Sequence, residues 1–274
     1  MTTIVFPGQG SQFVGMAQDF YENFVVAKDV FENVEDTTKI RIKDIIFKNE
    51  DNLLDITQYT QLSVFTVSIA IFEVFKHVFD KPIINFALGH SLGEYSALVA
   101  SRAISLKECS DILKTRGELM QNAYPENKSG MAAVLGLNCS EIEKIINENS
   151  LNVEIANDNA PGQVVISGII KNINTAERIL IENDAKKVIY LNVSAAFHST
   201  IMKKAEKEMK NYLSRIDFNN SVYSIISNYT ATASNEKKIL FENLSNQMSN
   251  KVRWAESIKL LDQMSEKIII EMGP

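Results

Sequence analysis

Ile83-Ile84-Asn85-Phe86-Ala87-Leu88 is a short, nearly unbroken apolar run, and Glu94 to Ala103 carries good helix formers. Only Gly89-His90-Ser91-Leu92-Gly93 separates them. An apolar run bounded by Pro82 and Gly89 is the pattern of a strand buried on both faces, as in a sheet covered by helices. The chain must then pass from strand to helix within Gly-x-Ser-x-Gly. Two glycines permit so sharp a turn, and it lifts the serine hydroxyl off the strand end. The helix starting just beyond aims its free N–H groups, and the positive end of its dipole, at the same spot. A carbonyl attacked by Ser91 would develop negative charge there, which makes the Leu92 N–H a natural oxyanion donor.

The rest of the chain reads as alternating elements around that junction. Thr3 to Phe6 is a buried strand stopped by Pro7 and Gly8, followed by helices over Met16–Asp36 and Gln58–Phe79. A helix from Leu106 to Asn122 ends before the polar stretch Glu126-Asn127-Lys128-Ser129-Gly130, a domain boundary. Beyond it come strand 131–137, helix 140–149, strands 153–156 and 163–167, helix 172–183 and strand 187–193. Ser140 and Glu143 fit a capping box, and Asn157 to Gly162 reads as a loop of turn formers. The order β-α-β-β-α-β is ferredoxin-like. Past Ala196 the alternation resumes with helix 200–213, strand 222–227, helices 236–248 and 254–264, and strand 267–271. The expected fold is α/β: a core over 1–127 and 196–274, with a parallel sheet flanked by helices, and a ferredoxin-like (βαββαβ) subdomain inserted over 128–195.

Composition narrows the partners. With 28 Lys and Arg against 34 Asp and Glu, the net charge of -6 lacks the basic footprint of a nucleic-acid binder. A 45% hydrophobic content over 274 residues excludes a mainly disordered chain. No apolar run approaches about 18 residues, and the longest, near Val64 to Phe72, is interrupted by Thr66 and Ser68. The start has no signal-peptide pattern. Cys109 and Cys139 form no CxxC, and His77, His90 and His198 have no ligand spacing, so neither a disulfide framework nor a metal site is expected. These features suit a soluble cytoplasmic protein.

A nucleophilic serine needs a base. His77 lies on a helix beside Phe75 and Val78 and reads as structural. His90 stands inside the turn, with its side chain expected to point away from that of Ser91. His198, in Ala195-Ala196-Phe197-His198-Ser199, directly follows a strand, where α/β sheets present reactive groups. It is the base candidate. No acidic residue is near enough in sequence to name as a third member, so a backbone or amide oxygen is left to orient the imidazole.

Phe6-Pro7-Gly8-Gln9-Gly10-Ser11-Gln12, Gly89 to Tyr95, Arg116-Gly117, Pro161 to Gly168 and Ala196-Phe197-His198-Ser199 occur in that order. Together they resemble the malonyl-CoA:acyl-carrier-protein transacylases of fatty acid synthesis and the related acyltransferase domains of polyketide synthases. The resemblance runs the length of the chain. It implies a hydrolase-like core, with Ser91 attacking a malonyl thioester and His198 as base. A malonyl-serine ester would then pass to the phosphopantetheine thiol of acyl carrier protein. It further implies an oxyanion hole of the Gln9 and Leu92 N–H groups, and Arg116 as partner of the malonyl carboxylate. The Gln247 backbone would orient His198, Asn157 and Asn159 would border the cleft, and Phe197 would favour malonyl over branched units. Malonyl-CoA and coenzyme A are then substrate and product, and neither cofactor nor metal is implied.

Two features depart from the family pattern. Ala195-Ala196 stands where Gly-Pro is more usual, and the chain ends at Met272-Gly273-Pro274, before a further strand and helix. Either the chain is shortened or its core closes differently; the site residues lie upstream. Lys186-Lys187 and Lys203-Lys204 flank His198 in sequence and are candidates for docking an acidic carrier protein. The alternatives are a stand-alone polyketide-pathway acyltransferase, a serine esterase or thioesterase using water, and a non-catalytic scaffold. Oligomeric state stays open, a monomer included.

Overall fold

The computed structural model describes residues 2–79, 82–264, 266 and 268–274. The chain opens with β1 (Thr2–Phe6), then α1 (Gln18–Asn23), α2 (Val25–Thr38), α3 (Ile42–Phe47) and α4 (Thr57–Val78). Next come β2 (Ile84–Gly89), α5 (Leu92–Ala100) and α6 (Leu106–Gln121). A second sheet follows, with β3 (Ser129–Leu135), α7 (Cys139–Glu148), β4 (Glu154–Ala160), β5 (Gln163–Ile169), α8 (Ile170–Glu182) and β6 (Lys187–Tyr190). The chain closes with α9 (Lys203–Leu213), β7 (Ser224–Ile226), β8 (Ala233–Ser234), α10 (Lys237–Ser245), α11 (Trp254–Gln263) and β9 (Ile268–Glu271).

The main sheet has the order β8-β7-β2-β1-β9, parallel throughout except for the β7–β8 hairpin. Alternate residues of β1 explain its unbroken apolar sequence. Ile4 and Phe6 enter the large core with α2, α4, α5 and α6, while Val5 packs with Leu88, Ile226 and Leu261 of α11 on the other face. Both faces are thus covered, as a parallel sheet requires. The second sheet, β4-β5-β3-β6, is antiparallel, with α7 and α8 burying Ile142, Ile173 and Leu180 against it. That is the ferredoxin-like order, so the architecture is the expected α/β one, though the main sheet is mixed at its β8 edge.

Several boundaries differ from the sequence reading for local reasons. The helix expected over Met16–Asp36 is two, because Phe24 turns extended (φ -125°, ψ 122°) and sets its ring against Phe20 and His77. Between α2 and α4 stand α3 and a 3-10 turn at Leu53–Asp55, too short for periodicity to reveal. Asn157 and Asn159 lie not in a loop but in β4. Two register shifts let the strand run on to Ala160, and the turn shrinks to Pro161-Gly162, with Gly162 at φ +76°. The cap of α7 is Asn138, not Ser140: the Asn138 N–H donates to the Glu141 carboxylate at 2.7 Å. Asn138 Oδ1 also accepts from the Gly162 N–H at 3.0 Å, tying the helix start to the hairpin, whereas Ser140, two residues on, lies inside the first turn of the helix. Thr200–Met202 is a 3-10 turn ahead of α9. Lys267, read as the start of the last strand, lies outside the described residues.

By length and mean hydropathy (1.3), α4 is apolar enough to span a bilayer, against the expectation that no such stretch exists. Yet 67% of that window is buried inside the fold, where α4 forms the central helix of the large core.

The capping geometry yields a discriminating test. Asn138→Ala should cost about 1 kcal/mol in urea denaturation, whereas Ser140→Ala should be near neutral; the reverse ranking would place the cap wrongly.

Candidate active site

Two glycine-permitted approaches bring the end of β2, the start of α5 and the end of β1 together. A Cβ on Gly89 would collide with the Gly93 backbone, and one on Gly93 with the Phe6 carbonyl. The turn leaves Ser91 at φ 50°, ψ -99°, which few side-chain-bearing residues adopt. Its Oγ lies 2.8 Å from His198 Nε2. Ser91 and His198 are thus joined directly across 107 residues of chain.

The imidazole is held from behind. His198 Nδ1 stands 3.1 Å from both the Gln247 and the Asn250 carbonyl oxygens. Carbonyls only accept, so Nδ1 carries the hydrogen and Nε2 presents its lone pair to the serine hydroxyl. Among the described residues no carboxylate takes part. Burial, and then the neighbouring Arg116 charge, press the His198 pKa down to about 3, so the ring is neutral at physiological pH.

Arg116 is fully buried on the apolar stripe of α6, in step with Cys109, Ile112, Leu113 and Met120. Gly117 lets that stripe approach the backbone of Gln58. Nη1 donates to Gln61 Oε1 at 2.7 Å, and Nη2 to Ser91 Oγ and Gln247 Oε1, each at 3.1 Å. Nε has no partner, and the guanidinium lies 5.1 Å from the Tyr95 ring centre. Among the described residues no carboxylate is within ion-pair distance of this cation.

A cleft of about 140 Å³ opens onto the pair, lined by Gln9, His90, Leu92, Asn157, Asn159 and Phe197 as well as Ser91 and His198. The Leu92 and Gln9 backbone N–H groups donate to no described residue, whereas the Ser91 N–H is already taken by Asn228. His90 Nε2 is 2.8 Å from Asn159 Oδ1, linking the turn to the small sheet. A roomier hollow of 600 Å³, beside α3 around Lys39, Arg41 and Tyr59, contains none of these groups. Nor do the described residues contain a His, Cys, Asp or Glu cluster suited to a metal, and both cysteines are free thiols.

The family model of the acyl transferase domain matches residues 3–274. The chain belongs to the acyl transferase domain family. The malonyl CoA-acyl carrier protein transacylase of Bacillus subtilis (strain 168) is 39% identical over 274 residues, covering 98% of this chain and 86% of that protein. An acyl-carrier-protein-S-malonyltransferase from Bartonella henselae superposes with a TM-score of 0.95 at 35% identity, over 99% of this chain and 88% of its own. A malonyl-transacylase in complex with its type II PKS acyl-carrier protein gives a TM-score of 0.95 at 30% identity, over 100% of this chain and 89% of that one.

Three residues of this acyl transferase domain escaped the sequence reading. Asn228, just past β7, accepts from the Ser91 N–H at 2.6 Å and donates to the Gly89 carbonyl at 2.7 Å, bracing both sides of the turn. Gln61 holds Arg116, and Glu94 is a buried carboxylate on α5. A strand end flags Asn228, and a charged side chain on an otherwise apolar helix face flags Glu94, whereas Gln61 stands among other polar residues at the start of α4 and carries no such signal. Asn228→Ala should leave two buried backbone groups unpaired at about 1–3 kcal/mol each. A thermal melt unchanged from the parent would remove Asn228 from this role.

Proposed function

We propose that this acyl transferase moves a malonyl group from malonyl-CoA to the phosphopantetheine thiol of acyl carrier protein, through a malonyl ester on Ser91. The observation that carries the reading is the buried Arg116 cation, set 3.1 Å from the serine oxygen with an unpartnered Nε. A buried guanidinium without a carboxylate is costly, and a substrate that brings its own carboxylate meets that need. Malonyl does so two bonds from the reacting carbonyl.

In the first half-reaction Ser91 Oγ attacks the thioester carbonyl as its proton passes to His198 Nε2. The Gln9 and Leu92 N–H groups receive the developing oxyanion. The C–S bond then breaks and His198 returns the proton to the coenzyme A sulfur. In the second, the carrier thiol gives its proton to His198, its sulfur attacks the ester, and Ser91 Oγ leaves and is reprotonated. The Arg116 charge is the second cause of the low His198 basicity, so a substrate carboxylate seated on Arg116 raises that basicity as the base is needed. Phe197, at the cleft wall, limits room for an α-branch.

The scheme calls for no cofactor or metal, only the two acyl carriers, and suits a cytoplasmic enzyme that acts as a monomer. Lys186, Lys187, Lys203 and Lys204 are exposed and suit an acidic carrier protein. Likeness to a type II PKS malonyl-transacylase favours one second reading, supply of a polyketide carrier. The choice of carrier decides between them.

Intact mass spectrometry after mixing with malonyl-CoA should show one malonyl increment in the parent and none in Ser91→Ala. An unlabelled parent, or a labelled Ser91→Ala, ends the reading. Arg116→Ala should lower kcat/KM for malonyl-CoA by about two to four powers of ten, from the loss of two charge-assisted hydrogen bonds. It should spare acetyl-CoA.

A further inference from the structure

Glu94 is the only charged residue of α5, 1% exposed, and has no part in the chemistry above. One of its oxygens, Oε2, accepts from Gln247 Nε2 at 2.7 Å and from the Asn228 backbone N–H at 3.1 Å. Those two residues are the ones that grip the Ser91 backbone. Asn228 Oδ1 takes the Ser91 N–H, and Gln247 Nε2 donates to the Ser91 carbonyl at 2.8 Å. The far end of the Gln247 amide, Oε1, accepts from Arg116 Nη2. The orientation of that amide is forced: a carboxylate and a carbonyl can only accept on one side, and a guanidinium can only donate on the other.

We propose that Glu94 is a positioning residue for acyl selectivity: its Oε2 anchors Gln247 and Asn228, and through them clamps Ser91 and aims Arg116 at the acyl carboxylate. This rests on the malonyl-transfer reading. A buried carboxylate is expensive unless it is well bonded, and here its bonds run to the residues that hold the nucleophile and the selecting cation. Its position therefore matters as much as its presence. A displacement of about 1 Å at such an anchor is enough to cost up to a hundredfold in rate.

Two variants separate position from charge. Glu94→Gln keeps an acceptor oxygen at the same reach and removes the charge; Glu94→Asp keeps the charge and withdraws the oxygen by one methylene. The readout is the ratio of kcat/KM for malonyl-CoA over acetyl-CoA, measured on enzyme whose thermal melt confirms folding. A loss of stability alone scales both substrates together and leaves the ratio unmoved. Glu94→Asp should lower the ratio about tenfold or more, while Glu94→Gln should stay within about threefold of the parent. A parental ratio in Glu94→Asp, or an equal loss in Glu94→Gln, overturns the inference. A parent that takes no malonyl label overturns the transfer reading and this inference with it, whereas a labelled parent with an unmoved Asp variant overturns only this one.

Discussion

Ser91 occupies a backbone conformation that is not its own choice. At φ 50°, ψ -99° it sits outside the regions open to most residues, and His198 at φ 55° is also left-handed. Positions of this kind cost about 1–3 kcal/mol each and persist only where the surroundings over-determine them. Here they do. The Ser91 peptide is gripped on one side by Asn228 and on the other by Gln247, and His198 is fixed through its own N–H by the Met248 carbonyl. Local propensity supplies none of this. The strand order supplies it, because placing β7 beside β2 carries Asn228 to the turn.

The charge pattern follows from the same crowding. Arg116, Glu94 and His198 are all removed from water, and each is displaced from its ordinary titration by that removal. Desolvation raises the Glu94 carboxyl to about 7, moderated by its bonds to Gln247 and Asn228 and by the Arg116 charge. Arg116 and Glu94 meet only through the Gln247 amide, not as an ion pair. The cation is thus held by neutral dipoles and a hydroxyl. Full neutralisation is left for a ligand, which is how a buried arginine can discriminate without being locked to its own protein.

The sequence announced the parts of this site that depend on short-range rules. The strand, the turn and the helix around Ser91 are legible because two glycines and an apolar run leave the backbone few options. The ferredoxin-like order is legible because its alternation is regular. Asn157 and Asn159 read as loop residues because Asn and Asp are turn formers by local propensity. Pairing with β5, and a bridge from Asn157 to Val252, outweigh that propensity and stretch β4 to Ala160. Glu94 was legible as a helix residue but not as an anchor, since its partners lie 134 and 153 residues away. Spacing along the chain carries no trace of such contacts.

The loop bearing His198 answers to both sheets at once. Ser129 Oγ accepts from the Ala196 N–H, and Ser167 Oγ donates to the Phe197 carbonyl, so β3 and β5 pin the loop from the small sheet. The Met248, Gln247 and Asn250 carbonyls pin its histidine from the large core. Ala195 and Ala196 are completely buried between these anchors. Three hydrogen bonds, at the Ala196 N–H, the Phe197 carbonyl and the His198 N–H, thus fix the loop backbone, and two more fix the imidazole ring. The 2.8 Å between Ser91 and His198 is therefore a contact that both sheets maintain, and a cleft widened by parting the sheets would separate the base from its nucleophile.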